Sequence, residues 1–367
     1  MKKIIINIIN YMFCIFKVDN SKIVFECGRN KVDDNPLAIY EYMKKNNLDE
    51  KYKLVFLTSK GVDISALDHR DVYYYKTIKG LFHKATAKYL IRSQSIGGII
   101  KKRNDQLVIY VDHGIFGLKK SGYDVTNAKD RPPVPMTYGW DYFVSASSYN
   151  SKLLRSSTGY RGKILNLGLA RTDKLVNIDK EKVKKIKQDL GLLNNNKKVI
   201  LYAPTFRDNK DNVDDSKINC LASLTDYKVI ITCHPLAKRG WDKYNLDSNF
   251  INAIDYEIND LLLVTDLLIT DYSSVIFDFL LLNKPMVFYP YDYDEYVTIR
   301  NGFYLDYKKD LPGPIAYNDK ELIKILKDKN LINSYDAKRK KFSKKYIELC
   351  DGNVCKRIVD MIINNEL

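Results

Sequence analysis

Short runs rich in β-branched residues alternate with longer mixed segments along the first half of the chain. The runs that read as strands cover residues 22–27, 52–57, 72–75 and 106–111, and residues 35–45 form one of the intervening helical segments. Helices that connect successive strands also cover the faces of the sheet. This alternation therefore predicts a parallel sheet with helices packed on it.

The same alternation restarts after a charged, asparagine-rich stretch at residues 181–198. The strands predicted in the second half cover residues 198–202, 228–231, 266–269 and 285–289. The predicted fold is α/β, with two Rossmann-like domains whose parallel sheets face a central cleft. Ligands of such sheets bind beyond the carboxyl ends of the strands, so functional residues are expected there.

A chain of 367 residues is long for one hydrophobic core and comfortable for two. The predicted divisions are an interfacial membrane segment at 1–20, an N-terminal Rossmann-like domain at 21–178, a linker at 179–197, a C-terminal Rossmann-like domain at 198–340 and a C-terminal helix at 341–367.

The N-terminal segment contains an apolar run at residues 4–16, preceded by Lys2 and Lys3. The run is shorter than the roughly 20 apolar residues that span a bilayer, and Asn7 and Asn10 interrupt it. No small-residue cleavage site follows, which argues against a secretory signal. An interfacial helix lying on the membrane is favoured, and an ordinary strand or core helix has similar odds.

The formal net charge is +15, which favours a polyanionic partner such as nucleic acid, anionic lipid or a phosphate-rich substrate. The basic residues are scattered in small groups and match no nucleic-acid-binding motif, so no nucleic acid partner is predicted. A solvated lysine-rich surface is the simpler alternative.

Six dispersed cysteines without zinc spacing fit reduced thiols in the cytosol.

A buried strand, a polar turn and an apolar helix follow one another at residues 267–279. Asp271, Ser273 and Ser274 lie where this helix starts. The backbone N–H groups there, together with the helix dipole, favour a phosphate group, and the alternative is that the three side chains only cap the helix.

Two of the four histidines, His113 and His234, directly follow predicted strands, one in each half of the chain. Thr205 and Arg207 follow a third strand, and an arginine there could clamp a phosphate through two hydrogen bonds. A single histidine at a strand end is more often structural than catalytic, and an exposed loop arginine is common. The repetition of the position favours function.

From about residue 22 to residue 314, the chain resembles the CDP-glycerol:poly(glycerophosphate) glycerophosphotransferases and their ribitol-phosphate relatives. The matching motifs, quoted by residue range, are 34–36, 113–114 with 118–119, 168–173, 203–207, 234–235, 270–274, 300–304 and 312–314. The resemblance implies a GT-B fold in which the C-terminal domain binds a CDP-polyol and the N-terminal domain receives a lipid-linked acceptor.

Carried over by position, the resemblance implies a role for each matching residue. His113 and His234 are the catalytic pair, with His113 as general base. Donor-binding residues are Arg207, Asp271, Ser273, Ser274 and Thr205, with Asp271 either holding the polyol or capping the helix. Acceptor or phosphate contacts are Lys119, Arg171, Asp173 and Arg300. The family usually has an aromatic before the first histidine, whereas this chain has Asp112, a carboxylate able to orient His113.

The expected reaction transfers glycerol phosphate or ribitol phosphate from CDP-glycerol or CDP-ribitol to a lipid-linked polyprenyl-diphosphate acceptor, at the cytoplasmic face of the cell membrane. The alternative is a GT-B glycosyltransferase that uses a nucleotide sugar, and a non-enzymatic polymer-binding module ranks below it.

Asp292-Tyr293-Asp294 spells the DxD pattern of metal-dependent sugar transferases. Such a triplet arises readily by chance in an acidic loop, so neither an obligatory metal nor a cofactor is predicted.

Overall fold

The chain forms two compact units in the computed structural model, which describes residues 11–13, 15–28, 31–94, 102–126, 139–205, 220–232, 249–299 and 302–367. Unit 1 comprises residues 1–115, 131–173 and 348–367, and unit 2 comprises residues 116–130 and 174–347. Both units are therefore built from separate stretches of the sequence.

The strands of the described ranges are β1 Asp19–Glu26, β2 Lys53–Thr58, β3 Val72–Tyr74, β4 Ala87–Arg92, β5 Leu107–Tyr110, β6 Tyr142–Ser145, β7 Lys163–Asn166, β8 Lys198–Ala203, β9 Tyr227–Ile231, β10 Phe250–Asn252, β11 Leu267–Thr270 and β12 Met286–Phe288. The helices are α1 Asp34–Lys45, α2 Ile78–Thr86, α3 Ser148–Thr158, α4 Asp173–Val176, α5 Lys180–Asp189, α6 Ile258–Val264, α7 Val275–Phe279, α8 Tyr293–Ile299, α9 Tyr307–Asp310, α10 Asp319–Lys327, α11 Lys329–Asn333, α12 Asp336–Tyr346 and α13 Val354–Ile363.

Unit 1 contains a sheet of order β3-β2-β1-β4-β5-β6-β7 in which all neighbours are parallel. Most residues of its central strands are buried, and most of the buried ones are apolar, because helices cover both faces. One of its cores joins α1 and α13 to the sheet, with Ile39, Met43, Ile358 and Ile362 all buried. The last helix of the chain therefore completes the hydrophobic core of unit 1.

Unit 2 contains a parallel sheet of order β10-β9-β8-β11-β12. Its main core includes Ile200, Ile231 and Ile269 from the strands and Leu322 from α10. The prediction of an α/β chain with two parallel sheets is confirmed.

The unit boundaries differ from the continuous ranges predicted from the sequence. Residues 116–130 belong to unit 2, although they lie within the predicted N-terminal domain, and residues 348–367 belong to unit 1. The predicted linker, 179–197, contains α5 and is part of unit 2. Lys182 on α5 forms an ion pair of 3.1 Å with Asp260 on α6, so this segment packs against the rest of unit 2.

Part of the predicted membrane segment lies outside the described residues, namely residues 1–10 and 14. In the described part, Tyr11 and Ile15 are 79% and 74% exposed, while Phe13 and Phe16 pack against the ring of Phe82 on α2. Every helix of the described ranges is too short or too polar to cross a bilayer.

The buried imidazole of His83 makes the stability of unit 1 depend on pH. Burial, with the nearby charges of Lys22 and Lys53, lowers the pKa of His83 from 6.5 to about 4. Between these values the unfolded chain binds a proton that the folded unit does not. We expect the contribution of His83 to the free energy of unfolding to be constant above pH 6.5 and to fall by up to about 3 kcal/mol as the pH decreases to 4.

Urea titrations from pH 4 to 8 measure this dependence. Trp140 is the probe for unit 1 once the second tryptophan is removed by Trp241→Phe. His83→Gln flattens the profile, whereas His69→Gln, a substitution of an exposed histidine, leaves it unchanged. Equal pH dependence in the parent and in His83→Gln would contradict the assignment.

Candidate active site

His113 lies in the turn after β5, and the residue before it has an unusual backbone conformation. Asp112 has a φ of +48°, in the left-handed region that aspartate tolerates better than most residues. Its Oδ1 accepts the His113 backbone N–H at 2.7 Å and lies 3.1 Å from His113 Nδ1. The Ser93 carbonyl oxygen lies 3.3 Å from the same Nδ1. Both neighbours are acceptors, which favours the tautomer with the proton on Nδ1.

A buried network joins this turn to two distant stretches of the sequence. Asn35 at the start of α1 donates its side-chain amide to the carbonyl oxygens of Val111 and Asp112, at 2.8 and 2.9 Å. The Asn35 Oδ1 accepts the backbone N–H of Arg171 at 2.9 Å, and the Arg171 guanidinium pairs with Asp34 at 2.7 Å. Three segments that are far apart in the sequence, residues 34–35, 111–112 and 171, therefore contact one another next to His113.

Asp173 holds the C-terminal helix on unit 1. Its carboxylate accepts the backbone N–H groups of Val354 at 3.0 Å and Cys355 at 2.8 Å, at the start of α13. Burial raises the pKa of Asp173, and these two hydrogen bonds act in the opposite direction. In this structure Asp173, like Arg171, contacts protein groups that stabilise unit 1.

In unit 2, the predicted site residues lie at the adjacent carboxyl ends of β8 and β11. Thr270 donates its hydroxyl to the Ala203 carbonyl at 2.7 Å. The Asp271 Oδ1 accepts the backbone N–H of Thr205 at 2.9 Å and that of Tyr272 at 2.5 Å. Asp271 is buried, so its carboxylate fixes the loop after β8 beside the start of α7.

Ser273 and Ser274 precede α7 and are half-buried. Ser273 Oγ accepts the Val275 backbone N–H at 3.4 Å, and Ser274 is the N-cap residue without a side-chain cap. Helix α7 has five residues and continues as a 3₁₀ turn, so its dipole is weaker than the apolar pattern of the sequence indicated.

An aromatic cluster supports this corner of unit 2. Tyr272 stacks on Tyr296 with ring centroids 3.7 Å apart, and Phe303 lies 4.8 Å from Tyr307. Asp292 accepts the Tyr272 hydroxyl at 3.1 Å, and Asp294 lies in the first turn of α8. The DxD triplet thus has structural contacts, and no group of three or more metal-binding side chains occurs in the described ranges.

Lys119 lies on a short strand-like segment of unit 2. It forms an antiparallel bridge with Phe303, flanked by a Lys120 N–H to Gly302 oxygen hydrogen bond of 3.0 Å. Tyr304 donates its hydroxyl to Asp124 at 2.6 Å. The segment that follows His113 in sequence is thereby paired with residues 302–304.

The sequence profile of the CDP-Glycerol:Poly(glycerophosphate) glycerophosphotransferase family matches residues 8–364. The chain belongs to this family. It is 34% identical to the teichoic acid glycerol-phosphate transferase of Staphylococcus aureus, and the match covers 94% of this chain and 94% of that protein. It is 30% identical to the teichoic acid poly(glycerol phosphate) polymerase of Bacillus spizizenii, over 93% of this chain and 91% of that protein.

A solved structure of the wall teichoic acid polymerase TagF soaked with CDPG superposes on this glycerophosphotransferase-family chain with a TM-score of 0.86. The identity is 28%, over 98% of this chain and 93% of that one. The similarity confirms the predicted GT-B fold and the resemblance inferred from the motifs.

Three predicted site residues of this glycerophosphotransferase-family member lie outside the described residues, namely His234, Arg207 and Arg300. Within unit 1 the structure brings together His113, Asp112 and the Asn35 network. Within unit 2 it brings together Thr205, Asp271, Ser273 and Ser274.

Sequence reasoning assigned no function to Asn35 or to the buried ion pairs of Glu26. Asn35 lies in a recognised motif, but its contacts are with residues more than 70 positions away, so the motif alone gave no role. Glu26, at the end of β1, is fully buried and pairs with Lys84 at 2.6 Å and Arg92 at 2.7 Å. The only signal was a charged residue at the end of an apolar strand.

Proposed function

We propose that this protein transfers glycerol phosphate from CDP-glycerol to a hydroxyl of a lipid-linked polyprenyl-diphosphate acceptor and releases CMP. The observation that carries the proposal is the setting of His113, whose Nδ1 faces two acceptor oxygens, in a chain of the glycerophosphotransferase family. That setting prepares the opposite ring nitrogen, Nε2, to act as a base.

The proposed step is a direct displacement at the β-phosphorus of the donor. The acceptor oxygen forms a bond to phosphorus, the bond to the CMP oxygen breaks, and His113 Nε2 takes the hydroxyl proton. CMP leaves as an anion that needs no protonation at neutral pH. General-base catalysis of this kind typically contributes about 10²–10⁴-fold.

The developing charge on the phosphoryl oxygens requires fixed donors. In our proposal these are Ser273, Ser274, Thr205 and the backbone N–H groups at the start of α7, together with Arg207 and His234. Asp271 supports them by fixing the Thr205 backbone, at 2.9 Å. The Oδ1 atom of its carboxylate already accepts two backbone N–H groups, which favours a supporting role over direct contact with the polyol.

For the acceptor side, we propose that Lys119 and Arg300 contact phosphate groups of the acceptor. Arg171 and Asp173 contribute through the fold of unit 1, because their charged groups contact Asp34 and the start of α13. Charge reversal at Lys119 is therefore expected to raise the KM for the acceptor, and the same change at Asp173 to destabilise unit 1.

Donor profiling tests the proposed function. Purified protein is incubated with CDP-glycerol, CDP-ribitol or a panel of nucleotide sugars, each with and without a lipid-linked acceptor analogue, and nucleotide release is followed. Acceptor-dependent CMP release from CDP-glycerol supports the proposal. Turnover confined to CDP-ribitol would reassign the donor, and turnover confined to a nucleotide sugar would establish a glycosyltransferase instead.

We further propose that unit 1 docks on the anionic cytoplasmic face of the cell membrane. Tyr11, Met12, Ile15 and Phe16 are exposed apolar residues, and Ile78, 79% exposed, lies one helical turn from Phe82, on which Phe16 packs. The exposed basic residues Lys17, Lys76 and Lys79 lie within two positions of Ile15, Phe16 or Ile78 in the sequence. Apolar side chains within a basic border are typical of interfacial membrane binding.

Replacing Ile15 and Ile78 with serine is expected to reduce sedimentation with vesicles containing one third phosphatidylglycerol by about tenfold, because each substitution removes apolar area from the bilayer contact. Ile178→Ser in unit 2 is the matched control, since Ile178 is also an exposed isoleucine, at 49%. Binding that is unaffected by the Ile15 and Ile78 substitutions, or reduced equally by Ile178→Ser, would refute this docking surface.

A further inference from the structure

Two aspartates with left-handed backbones flank the buried amide of Asn35. Asp34 precedes Asn35 in the sequence and has a φ of +65°. Asp112, whose carbonyl oxygen accepts the Asn35 amide, has a φ of +48°. Left-handed non-glycine residues persist where the surrounding contacts over-determine them, and they concentrate at functional sites. The contacts that hold both aspartates converge on Asn35 and on the turn that carries His113.

Asn35 is suited to this position by its hydrogen-bonding groups. It is completely buried, its amide nitrogen serves two consecutive carbonyl oxygens, and its oxygen receives the Arg171 N–H. An aspartate of the same shape has no hydrogen to donate at neutral pH and would place a negative charge against the two carbonyl oxygens. Asparagine therefore provides both the donor and the acceptor that the site requires.

Asp112 connects this network to the imidazole. The left-handed turn places its Oδ1 where it accepts the His113 backbone N–H at 2.7 Å while lying 3.1 Å from Nδ1. A hydrogen bond to one ring nitrogen fixes the tautomer and thereby determines the chemistry of the other nitrogen. The position of the carboxylate depends on the turn, and the turn depends on Asn35.

We propose that Asn35 and Asp112 are positioning residues for His113, which hold its ring with the proton on Nδ1 and so present Nε2 as the acceptor of the substrate proton. Asn35 fixes the backbone of the turn, and Asp112 is the nearer of the two acceptors, with the Ser93 carbonyl, that orient the ring. The role in transfer rests on the proposed function, whereas the tautomer is a property of the protein alone.

Long-range ¹H–¹⁵N correlation spectra of protein labelled in its histidine rings test the tautomer without any substrate. The chain has four histidines, and His113→Gln assigns the His113 signals. We expect the wild-type spectrum at pH 8 to show a proton on Nδ1 of His113. Asn35→Ala, and separately Asp112→Ala, are expected to produce a mixture of tautomers at His113.

Internal controls separate loss of position from loss of fold. His69 and His83 belong to the same unit, so their unchanged signals show that a variant remains folded. Asn150→Ala is the matched control, because Asn150 is also a buried asparagine of unit 1, but its side-chain oxygen accepts the hydroxyl of Ser145. If Asn35→Ala unfolds the unit, the comparison of Asp112→Ala with Asp112→Asn carries the test. The amide oxygen still accepts from Nδ1, so this variant is expected to keep the tautomer.

Single-turnover transfer then separates positioning from binding. A displacement of about 1 Å at a reacting group can reduce the rate about 10²-fold. We therefore expect Asn35→Ala to lower the single-turnover rate constant of transfer by about 10–100-fold, with little change in the concentration of CDP-glycerol that gives half of the maximal rate.

A wild-type spectrum with the proton on Nε2, or unchanged His113 signals in folded Asn35→Ala and Asp112→Ala, would overturn the proposal. Absence of transfer by the wild-type protein, with the expected tautomer present, would count against the proposed function alone.

Discussion

Replacing His113 with glutamine is expected to reduce the rate of CMP release from CDP-glycerol by about 10²–10⁴-fold, because the acceptor hydroxyl then loses its general base. Glutamine keeps a polar group of similar length but has no basic nitrogen. The donor contacts proposed here lie in unit 2, so the Kd for CDP-glycerol is expected to stay within about twofold. Rapid-quench measurement of transfer and calorimetric titration of the donor provide the two quantities.

The matched control is His69→Gln. His69 lies in the same unit, is exposed and follows no strand of the sheet, so its replacement is expected to leave the rate unchanged. Equal rates for His113→Gln and wild type would remove His113 from the chemical step. A large increase in the donor Kd would indicate that His113 contributes to donor binding instead.

Removing the carboxylate of Glu26 is expected to have the largest effect on stability. Although burial alone would raise it, the charges of Lys84 and Arg92 hold the pKa of Glu26 below its usual range, so the residue is ionised in the folded unit. Glu26→Ala leaves the charges of Lys84 and Arg92 without their partner in the interior. Breaking a buried ion pair in this way typically costs about 3–5 kcal/mol.

Urea denaturation at pH 7, followed through Trp140, measures this cost. Asp360→Ala is the comparison, because Asp360 pairs with Lys356 at 2.6 Å on the exposed surface of α13. Exposed pairs of this spacing contribute about 0.3–0.5 kcal/mol. Similar losses in the two variants would show that the Glu26 cluster is not energetically distinct from a surface pair.

Several of the strands that the sequence predicts are nearly continuous apolar runs, because both of their faces are buried. The predicted runs at 22–27 and 198–202 correspond to β1 and β8, which lie inside their sheets and have neighbours on both sides. By contrast, β7 is an edge strand with two apolar residues among four, a signal too weak to separate from a loop. Burial on both faces strengthens the sequence signal of a parallel strand but does not decide it alone, because the central strand β4 was missed and the half-buried edge strand β3 was predicted.

The assignment of chain segments to units could not be read from the sequence. Residues 116–126 follow β5 and the turn that carries His113, yet Leu118 and Lys120 form backbone hydrogen bonds with Tyr304 and Gly302. These pairings join residues more than 180 positions apart, and local patterns carry no information about such partners. The same limit applies to Asn35, whose role depends on Val111, Asp112 and Arg171 together.

The side-chain types of the site were easier to predict than their roles. An aspartate before a histidine suggested an orienting carboxylate, and the 3.1 Å separation of Asp112 Oδ1 from His113 Nδ1 is consistent with it. Arg171 and Asp173 were predicted as phosphate or acceptor contacts because charged residues in a recognised motif often bind ligands. Their contacts with Asp34 and with Val354 and Cys355 depend on the fold and were not visible in the motif.

The packing of α13 into unit 1 has a consequence for how the protein is made. Strands β1 to β7 are synthesised long before Val354, Ile358 and Ile362, which fill the core beside α1. Domains usually fold as they emerge from the ribosome, in order from the N-terminus. Unit 1 of this protein cannot complete its core until the whole of unit 2 has been translated, and part of its apolar surface stays exposed until then. The nascent chain is therefore expected to depend on chaperones that bind exposed apolar segments until α13 arrives.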